Sequence, residues 1–321
     1  MSKVFIIAEA GINHNGKINN AIKLVQIAYK AKVDAVKFQL FTTKNFINKN
    51  KNLKGFKRFK GLEFSIYEWK RIVSFAKKKK IKIFFSVFDK ESLELLKKLK
   101  CSIIKIPSGE INNYDLLKKI NQLKKKVILS TGMSTLKEIK KALKYLNKCE
   151  VKVLHCVSEY PTPPYKANLS LIRKLRSELK VEVGLSDHSR STLIPALAIS
   201  FGATIIEKHI TFNRNQKFGD HNMSVTQKEL AEMTNYIREA ELVSGNGKKK
   251  LSYKEKKLAK VARKGAYLGK DILKGEKLEM RHVKFLRPSN NSKYEIISRL
   301  IGKKSKKNLS ILSDIKKNDF K

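Results

Sequence analysis

Residues 205–211 read Ile-Ile-Glu-Lys-His-Ile-Thr, a short β-branched run interrupted by Glu207 and His209. Strand side chains alternate faces, so Glu207 and His209 share one face while Ile206 and Lys208 share the other. A solvated strand has no need of an acid and an imidazole on one face. The same design recurs upstream: VFIIAEAG ends on Glu9, AVKFQ on Lys37 and Gln39, and IFFSVFD on Ser86 and Asp89. It continues with IIKIPSGE (Lys105, Ser108, Glu110), VILSTGM (Ser130), VLHCVSEYPTP (Ser158, Tyr160) and VGLSDHS (Ser186, His188). These make about eight strands, each followed by a helix-like stretch, the rhythm of a (β/α)₈ TIM barrel whose strand ends converge on one face. A doubly wound open sheet is the alternative, but no Gly-rich phosphate fingerprint marks a switch point.

The helices between them announce their starts. Ser65–Glu68, Thr135–Glu138 and Thr226–Glu229 each fit a capping box ahead of an apolar-periodic run. The polar connection from Phe41 to Leu62 is long enough to read as a lid or a disordered loop. The βα rhythm stops near Ser244–Lys250 and gives way to short strands and turns from about Ala262. The expected organisation is a catalytic barrel over 1–245, a linker over 246–260 and a small domain over 261–321.

At 321 residues the chain has room for one barrel and a small extra domain. The net charge of +43 raises nucleic acid as a partner. The excess is nearly all Lys, scattered over every helix with abundant Asn and Ile, as a coding sequence rich in A and T produces on solvated faces. Without clustered Arg and stacking aromatics the reading is no nucleic acid. No run reaches transmembrane length and the N-terminus lacks a signal-peptide pattern, so no membrane is expected. Cys101, Cys149 and Cys156 form no C-x-x-C, and a reducing cytoplasm is the default.

Parity sends Glu9, Lys37, Gln39, Ser86, Lys105, Ser130, Ser158, Ser186, His188, Glu207 and His209 inward, and His155 outward as a packing residue. Two lysines among hydroxyls suit a phosphate or phosphorylated carboxylate. The competing reading pairs Lys37 and Lys105 with Glu9 and Glu207 as internal ion pairs. Two imidazoles on adjacent strands, with oxygen donors and no thiolate, point to an open divalent site, Mn²⁺ or Mg²⁺ before Zn²⁺.

IIAEAGINHNG, VKFQ, IKIPSGEINN, ILSTGM, LHCVSEYPTP, GLSDHS and IEKHIT, in that order, resemble the sialic acid synthase family, in particular its bacterial N-acetylneuraminate, legionaminate and pseudaminate branch. KDILKGEKL and FLRP in the tail resemble the antifreeze-like (SAF) domain found there. The resemblance implies a condensation of phosphoenolpyruvate with an N-acylated mannosamine-type sugar, giving a nine-carbon 2-keto acid and phosphate. A 2,4-diacetamido sugar is the alternative acceptor. It implies that Lys37, Ser86, Lys105, Ser108, Ser130, Ser158 and Ser186 bind phosphoenolpyruvate. His188 and His209 would hold the metal, Mn²⁺ first with Mg²⁺ or Co²⁺ as alternatives. Glu9, Glu110 and Asp220 would serve as catalytic acids, Tyr160 would contact the sugar, and Arg287 would reach the partner's site in a domain-swapped homodimer.

This chain departs from the family pattern in three places. Phe218–Gly219–Asp220–His221 stands where the family reads G-P-D-H, Ser289–Asn290–Asn291 replaces G-N-G, and the 42–62 loop is short. All fall on the sugar side. Octulosonate- and heptulosonate-type synthases share the donor but would want a Cys ligand and an acceptor-phosphate site. A basic scaffold on a retired barrel is a more distant reading, opposed by the complete inward polar set.

Overall fold

The computed structural model describes residues 3–290 and 294–321, so Asn291 lies outside the described residues. The chain forms two compact units, Met1–Asn246 and Gly247–Lys321.

The first unit is a closed barrel of parallel strands: β1 (Phe5–Gly11), β2 (Ala35–Leu40), β3 (Lys82–Val87), β4 (Ile103–Ile106), β5 (Lys126–Ser130), β6 (Glu150–Cys156), β7 (Val183–Asp187) and β8 (Ile205–His209). β1 pairs with β2 on one side and β8 on the other, which excludes the open doubly wound sheet. Around it run α1 (Ile18–Lys30), α2 (Thr43–Phe46), α3 (Leu53–Lys60), α4 (Ile66–Lys78), α5 (Lys90–Lys98), α6 (Tyr114–Gln122), α7 (Leu136–Tyr145), α8 (Ser170–Leu179), α9 (Ile194–Ser200) and α10 (Gln227–Val243).

Alternation builds two cores. Val36, Phe38 and Leu40 of β2 join the large layer between barrel and helices. Ile7, Ala35, Phe84, Ile128, Leu154 and Ile205 meet inside the barrel as its apolar floor. Two residues further along those strands stand Glu9, Lys37, Ser86, Ser130, Cys156 and Glu207. One strand step therefore separates a dry plug from a polar mouth.

The capping boxes at Ser65 and Thr135 form as the spacing predicts, and Thr226 donates to Glu229 through both its N–H and its hydroxyl. Asp89, read from sequence as one of the polar strand ends, is a helix cap. It accepts from Ser92 N at 2.7 Å and from Thr42 N at 2.7 Å. The 42–62 connection is neither a bare lid nor a formless loop. It folds into α2 and α3, whose Phe46 and Phe59 pack edge-on against Phe41 and Phe88. Those rings form a cluster with Ile12 and Leu62, which is what holds so lysine-rich a segment in place.

The second unit holds α11 (Tyr253–Ala262), the antiparallel pair β9 (Gly265–Leu268) and β10 (Val283–Leu286), and α12 (Tyr294–Ser298). Its small core includes Leu268, Ile272, Leu278, Ile297, Ile315 and Phe320. The stretch 246–260, expected as a linker, is helical from Tyr253 onward and is started by a Ser252–Glu255 capping box. Among the described residues no helix is long and apolar enough to cross a membrane.

Candidate active site

The polar strand ends enclose a cavity of about 210 Å³ lined by Glu9, Lys37, Gln39, Ser86, Lys105, Ser108, Ser130, Ser158, Tyr160, Ser186, His188, Glu207 and His209, with Phe88, Met133 and Cys156 among its walls. Lys37 Nζ sits 2.6 Å from Glu9 Oε2 and 3.7 Å from Glu207 Oε2, and donates to Ser86 Oγ at 2.9 Å. Lys105 Nζ lies 3.8 Å from Glu207 Oε1 and donates to Ser130 Oγ at 2.6 Å. Ser186 Oγ donates to Glu207 Oε1 at 3.0 Å. The ion-pair reading and the anion-site reading thus describe the same atoms: Glu207 bridges both lysines, and the serines extend them toward the cavity.

The four charges are nearly sealed from water, so their balance decides the chemistry. Burial raises the Glu9 carboxyl to about 7, with Lys37 opposing and Glu207 adding to the rise. Burial also works to raise Glu207, but Lys105 and Lys37 outweigh it and hold that carboxyl below its usual range. For Lys37, Glu207 and Glu9 outweigh burial and raise its pKa, whereas burial lowers that of Lys105. Near neutrality Glu9 is therefore poised between its two forms while Glu207 stays ionised, which leaves the mouth with an excess of positive charge for an anion.

The raised Glu9 has a stability consequence of definite sign. Its folded pKa exceeds the ordinary value of 4.5, so between pH 4.5 and about 7 the native state holds a proton that the unfolded chain releases. Wild-type stability should fall across that window through this group, and a Glu9→Gln variant should lack the fall. Chemical denaturation at several pH values is expected to show the variant's advantage growing up to about pH 7 and then levelling; a constant difference would contradict the assignment.

His188 and His209 face each other with ring centroids 5.6 Å apart. His188 Nδ1 lies 2.7 Å from the Val157 carbonyl, which can only accept, so Nδ1 carries the proton and Nε2 keeps its lone pair. Burial lowers the pKa of both rings, that of His209 strongly with help from His188 and Lys37. His209 Nδ1 is buried without a hydrogen-bond partner, 3.6 Å from Asp220 Oδ2. Two neutral imidazoles with an unclaimed nitrogen suit a divalent cation that takes its other ligands from substrate and water. Among the described residues no three His, Cys, Asp or Glu side chains gather into a closed metal cage.

Three of the residues expected at the site do not line the cavity. Glu110 ends a short turn and accepts from Asn113 Nδ2 at 2.8 Å, with burial raising its pKa. Asp220, raised by burial, stands in the loop after β8 beside His209. Arg287 follows β10 in the second unit. Ser108 does reach the cavity, where its hydroxyl accepts from Gly132 N at 3.0 Å and contacts Cys156 Sγ at 3.2 Å. Tyr160 stacks on His188 at 4.3 Å, and Ser158 Oγ is buried without a partner.

Sequence reading missed two supporting groups. Lys208, on the outer face, donates to Asp187 Oδ2 and to the Ser189 carbonyl, both at 2.5 Å, behind the two histidines. Asn13, fully buried, donates to Ile210 O at 2.9 Å and Ser224 Oγ at 3.0 Å and accepts from Asp220 N at 2.8 Å. It ties the loop after β1 to the loop that carries Asp220. Both lie in the motifs noted above, but their partners are set by strand register and loop closure. His155, read as outward, packs with Nε2 2.9 Å from the Ala167 carbonyl.

The chain has clear relatives among known proteins. The NeuB family model matches residues 24–249. The N,N'-diacetyllegionaminic acid synthase of Campylobacter jejuni is 39% identical, covering 96% of this chain and 97% of the relative. A pseudaminic acid synthase of the same species is 35% identical over 99% of this chain and 97% of its own length. The crystal structure of N-acetylneuraminic acid (sialic acid) synthetase from Leptospira borgpetersenii, solved with citrate, superposes with a TM-score of 0.76 at 36% identity, covering 80% of this chain and 90% of that one. With the family model spanning more than half of the sequence and such relatives matching almost all of it, the chain belongs to the NeuB family and is a synthase.

Proposed function

We propose that the enzyme condenses phosphoenolpyruvate with an N-acylated mannosamine-type amino sugar in its open aldehyde form, releasing phosphate and a nine-carbon 2-keto acid. The observation that carries this reading is the Lys37–Glu207–Lys105 arrangement lined by Ser86, Ser130 and Ser186 beside two neutral imidazoles. In this reading the lysines and serines, with Ser108 and Ser158, grip the phosphate and carboxylate of the donor. The enol carbon attacks the sugar's aldehyde carbon, whose oxygen takes up a proton. Water adds at the adjacent cationic carbon, and the carbon–oxygen bond to phosphate then breaks to leave the ketone.

His188 and His209 would hold a divalent ion, Mn²⁺ first, which when bound supplies Lewis acidity toward the aldehyde. Glu9, able to hold or release a proton near neutrality, together with Glu110 and Asp220, serves the proton transfers and orients sugar hydroxyls. Tyr160 flanks the sugar. The test is phosphate release from phosphoenolpyruvate and Mn²⁺ across a panel of acylated amino sugars, with mass analysis of the acid formed. Release without any added sugar would sink the reading.

We read residues 261–321 as an antifreeze-like domain that brings Arg287 to the partner's barrel in a domain-swapped homodimer. Mixing an inactive Arg287→Ala protein with an inactive His188→Ala protein is then expected to restore turnover, because mixed dimers hold one intact site. Mixtures that stay inactive despite proven subunit exchange would show that the arginine acts on its own barrel or not at all.

A further inference from the structure

The loop that follows β8 leaves the barrel and returns to it at one place: Thr211 N donates to the Val225 carbonyl and Val225 N to the His209 carbonyl, each at 2.9 Å. Its base is therefore closed by main chain alone. A further set of bonds nevertheless grips its far end, and one buried residue from the loop after β1 makes most of them. Asn13 spends both donors of its amide on Ile210 O at 2.9 Å and Ser224 Oγ at 3.0 Å, and its oxygen accepts from Asp220 N at 2.8 Å. Ser224 Oγ in turn donates to the Asp220 carbonyl at 2.6 Å. A single side chain thus fixes the Asp220 main chain at both ends, directly at its N–H and through Ser224 at its carbonyl.

The neighbours of Asp220 are shaped to the same end. Gly219 adopts a φ of +93°, and a Cβ there would stand 2.7 Å from Asn13 Oδ1 and 3.2 Å from the His221 ring. Only glycine fits a left-handed turn pressed so closely on the oxygen that receives the Asp220 N–H. The proline that the family pattern has at this position, with φ held at about −65°, is closed to that turn. His221, fully buried, is bonded at both ring nitrogens, to Thr211 Oγ1 at 2.7 Å and to Asn15 Oδ1 at 3.2 Å. The Asp220 carboxylate is treated differently. It is the one acid between Thr211 and Val225. Among the described residues it makes no hydrogen bond, and it stands 3.6 Å from His209 Nδ1. An acid kept for the fold spends its oxygens on the fold. Here the main chain is held at both ends and the carboxylate is left unspent, which suits a group that meets a substrate.

We propose that Asn13 is a positioning residue for the reaction, holding the Asp220 main chain so that the free carboxylate is delivered beside His209. The inference rests on the condensation proposed above and adds to it the group that aims one of its acids. Asn13 does not line the catalytic cavity, so its effect passes through Asp220.

The experiment compares wild type with Asn13→Ala, Gly219→Ala, Asp220→Ala and the Asn13→Ala, Asp220→Ala double variant, using phosphoenolpyruvate, Mn²⁺ and the acylated amino sugar that wild type turns over fastest. Asn13→Ala and Gly219→Ala are each expected to lower kcat by about a hundredfold, the scale on which a displaced group slows a reaction. The KM for phosphoenolpyruvate and the affinity for Mn²⁺ should move less than about threefold, as for sites not coupled to the change. In the Asp220→Ala background the Asn13 change should cost less than about threefold more. Hydrogen exchange at the Asp220 amide, whose bond is to Asn13, should quicken at least about tenfold in Asn13→Ala. Gly219→Ala carries the kinetic test if Asn13→Ala does not fold. An Asn13→Ala loss as large without the Asp220 carboxylate as with it overturns the inference, and so does an Asp220→Ala enzyme with wild-type kcat. A fall in Mn²⁺ affinity that matches the fall in kcat also overturns it, since Asn13 would then act through Ile210 on His209. If wild type releases no phosphate with any acylated amino sugar, the condensation reading fails and exchange alone judges the clamp. Faster exchange at Asp220 in Asn13→Ala then upholds it, and an unchanged rate overturns it.

Discussion

A Lys37→Met variant is expected to bind phosphoenolpyruvate about a hundredfold more weakly than wild type, the loss expected for one or two charge-assisted hydrogen bonds. Met keeps the length and apolar stem, so the barrel wall stays filled. The charge does not stay: Glu9 loses the ammonium at 2.6 Å and Glu207 loses one of its two lysines. Removing one member of a buried ion pair costs about 3–5 kcal/mol because the survivor is stranded. The stability loss should therefore be largest above pH 7, where Glu9 would be ionised, and smaller at pH 5–6, where it already holds a proton (about 7 in wild type). Calorimetric titration at pH 6 separates the two roles of Lys37. A folded variant that binds phosphoenolpyruvate with wild-type affinity there would make Lys37 a structural counter-ion and nothing more.

His188→Ala should lower Mn²⁺-supported turnover by about a thousandfold, since the Lewis acidity at stake is worth several kcal/mol. Its effect on donor affinity should be slight, because the lysines and all the anion-gripping serines except Ser186, which precedes it on β7, come from other strands and loops. Direct Mn²⁺ binding, followed by electron paramagnetic resonance, should weaken in parallel. The ring also anchors the Val157 carbonyl and stacks on Tyr160, so a His188→Gln control that keeps a donor toward Val157 tests for local collapse. Unchanged Mn²⁺ affinity in both variants would remove the histidines from the metal reading.

Much of the site was legible because a strand has a period of two. Placing Val36, Phe38 and Leu40 under the helices forces Lys37 inward, and the structure puts it there, 2.6 Å from Glu9. The same rule aligned Ser186 with His188 and Glu207 with His209, and the strand register then brought Ser186 onto Glu207. Features that depend on two distant loops were not legible. Nothing near Asn13 tells of its bond to Asp220 some two hundred residues on, because closure of the barrel creates it. The Asp187–Lys208 bond was not legible either, since pairing across β7 and β8 needs register as well as parity. Asp89 misled for a local reason: an acid at a strand end and an acid at a helix start are the same residue when the loop between them is short. The aromatic cluster under α2 and α3 escaped because its phenylalanines come from three separate segments, each hidden in a lysine-rich background.

The measurement that bears most directly on the account follows the oxygen joining carbon and phosphorus in phosphoenolpyruvate. With that oxygen labelled as ¹⁸O, phosphorus NMR of the released phosphate should show the label retained, and release should require both the divalent ion and an acylated amino sugar. Phosphate that emerges unlabelled, or that emerges without the sugar, would mean that the phosphorus–oxygen bond is cut or that no condensation takes place, and the barrel mouth would then need a different chemistry.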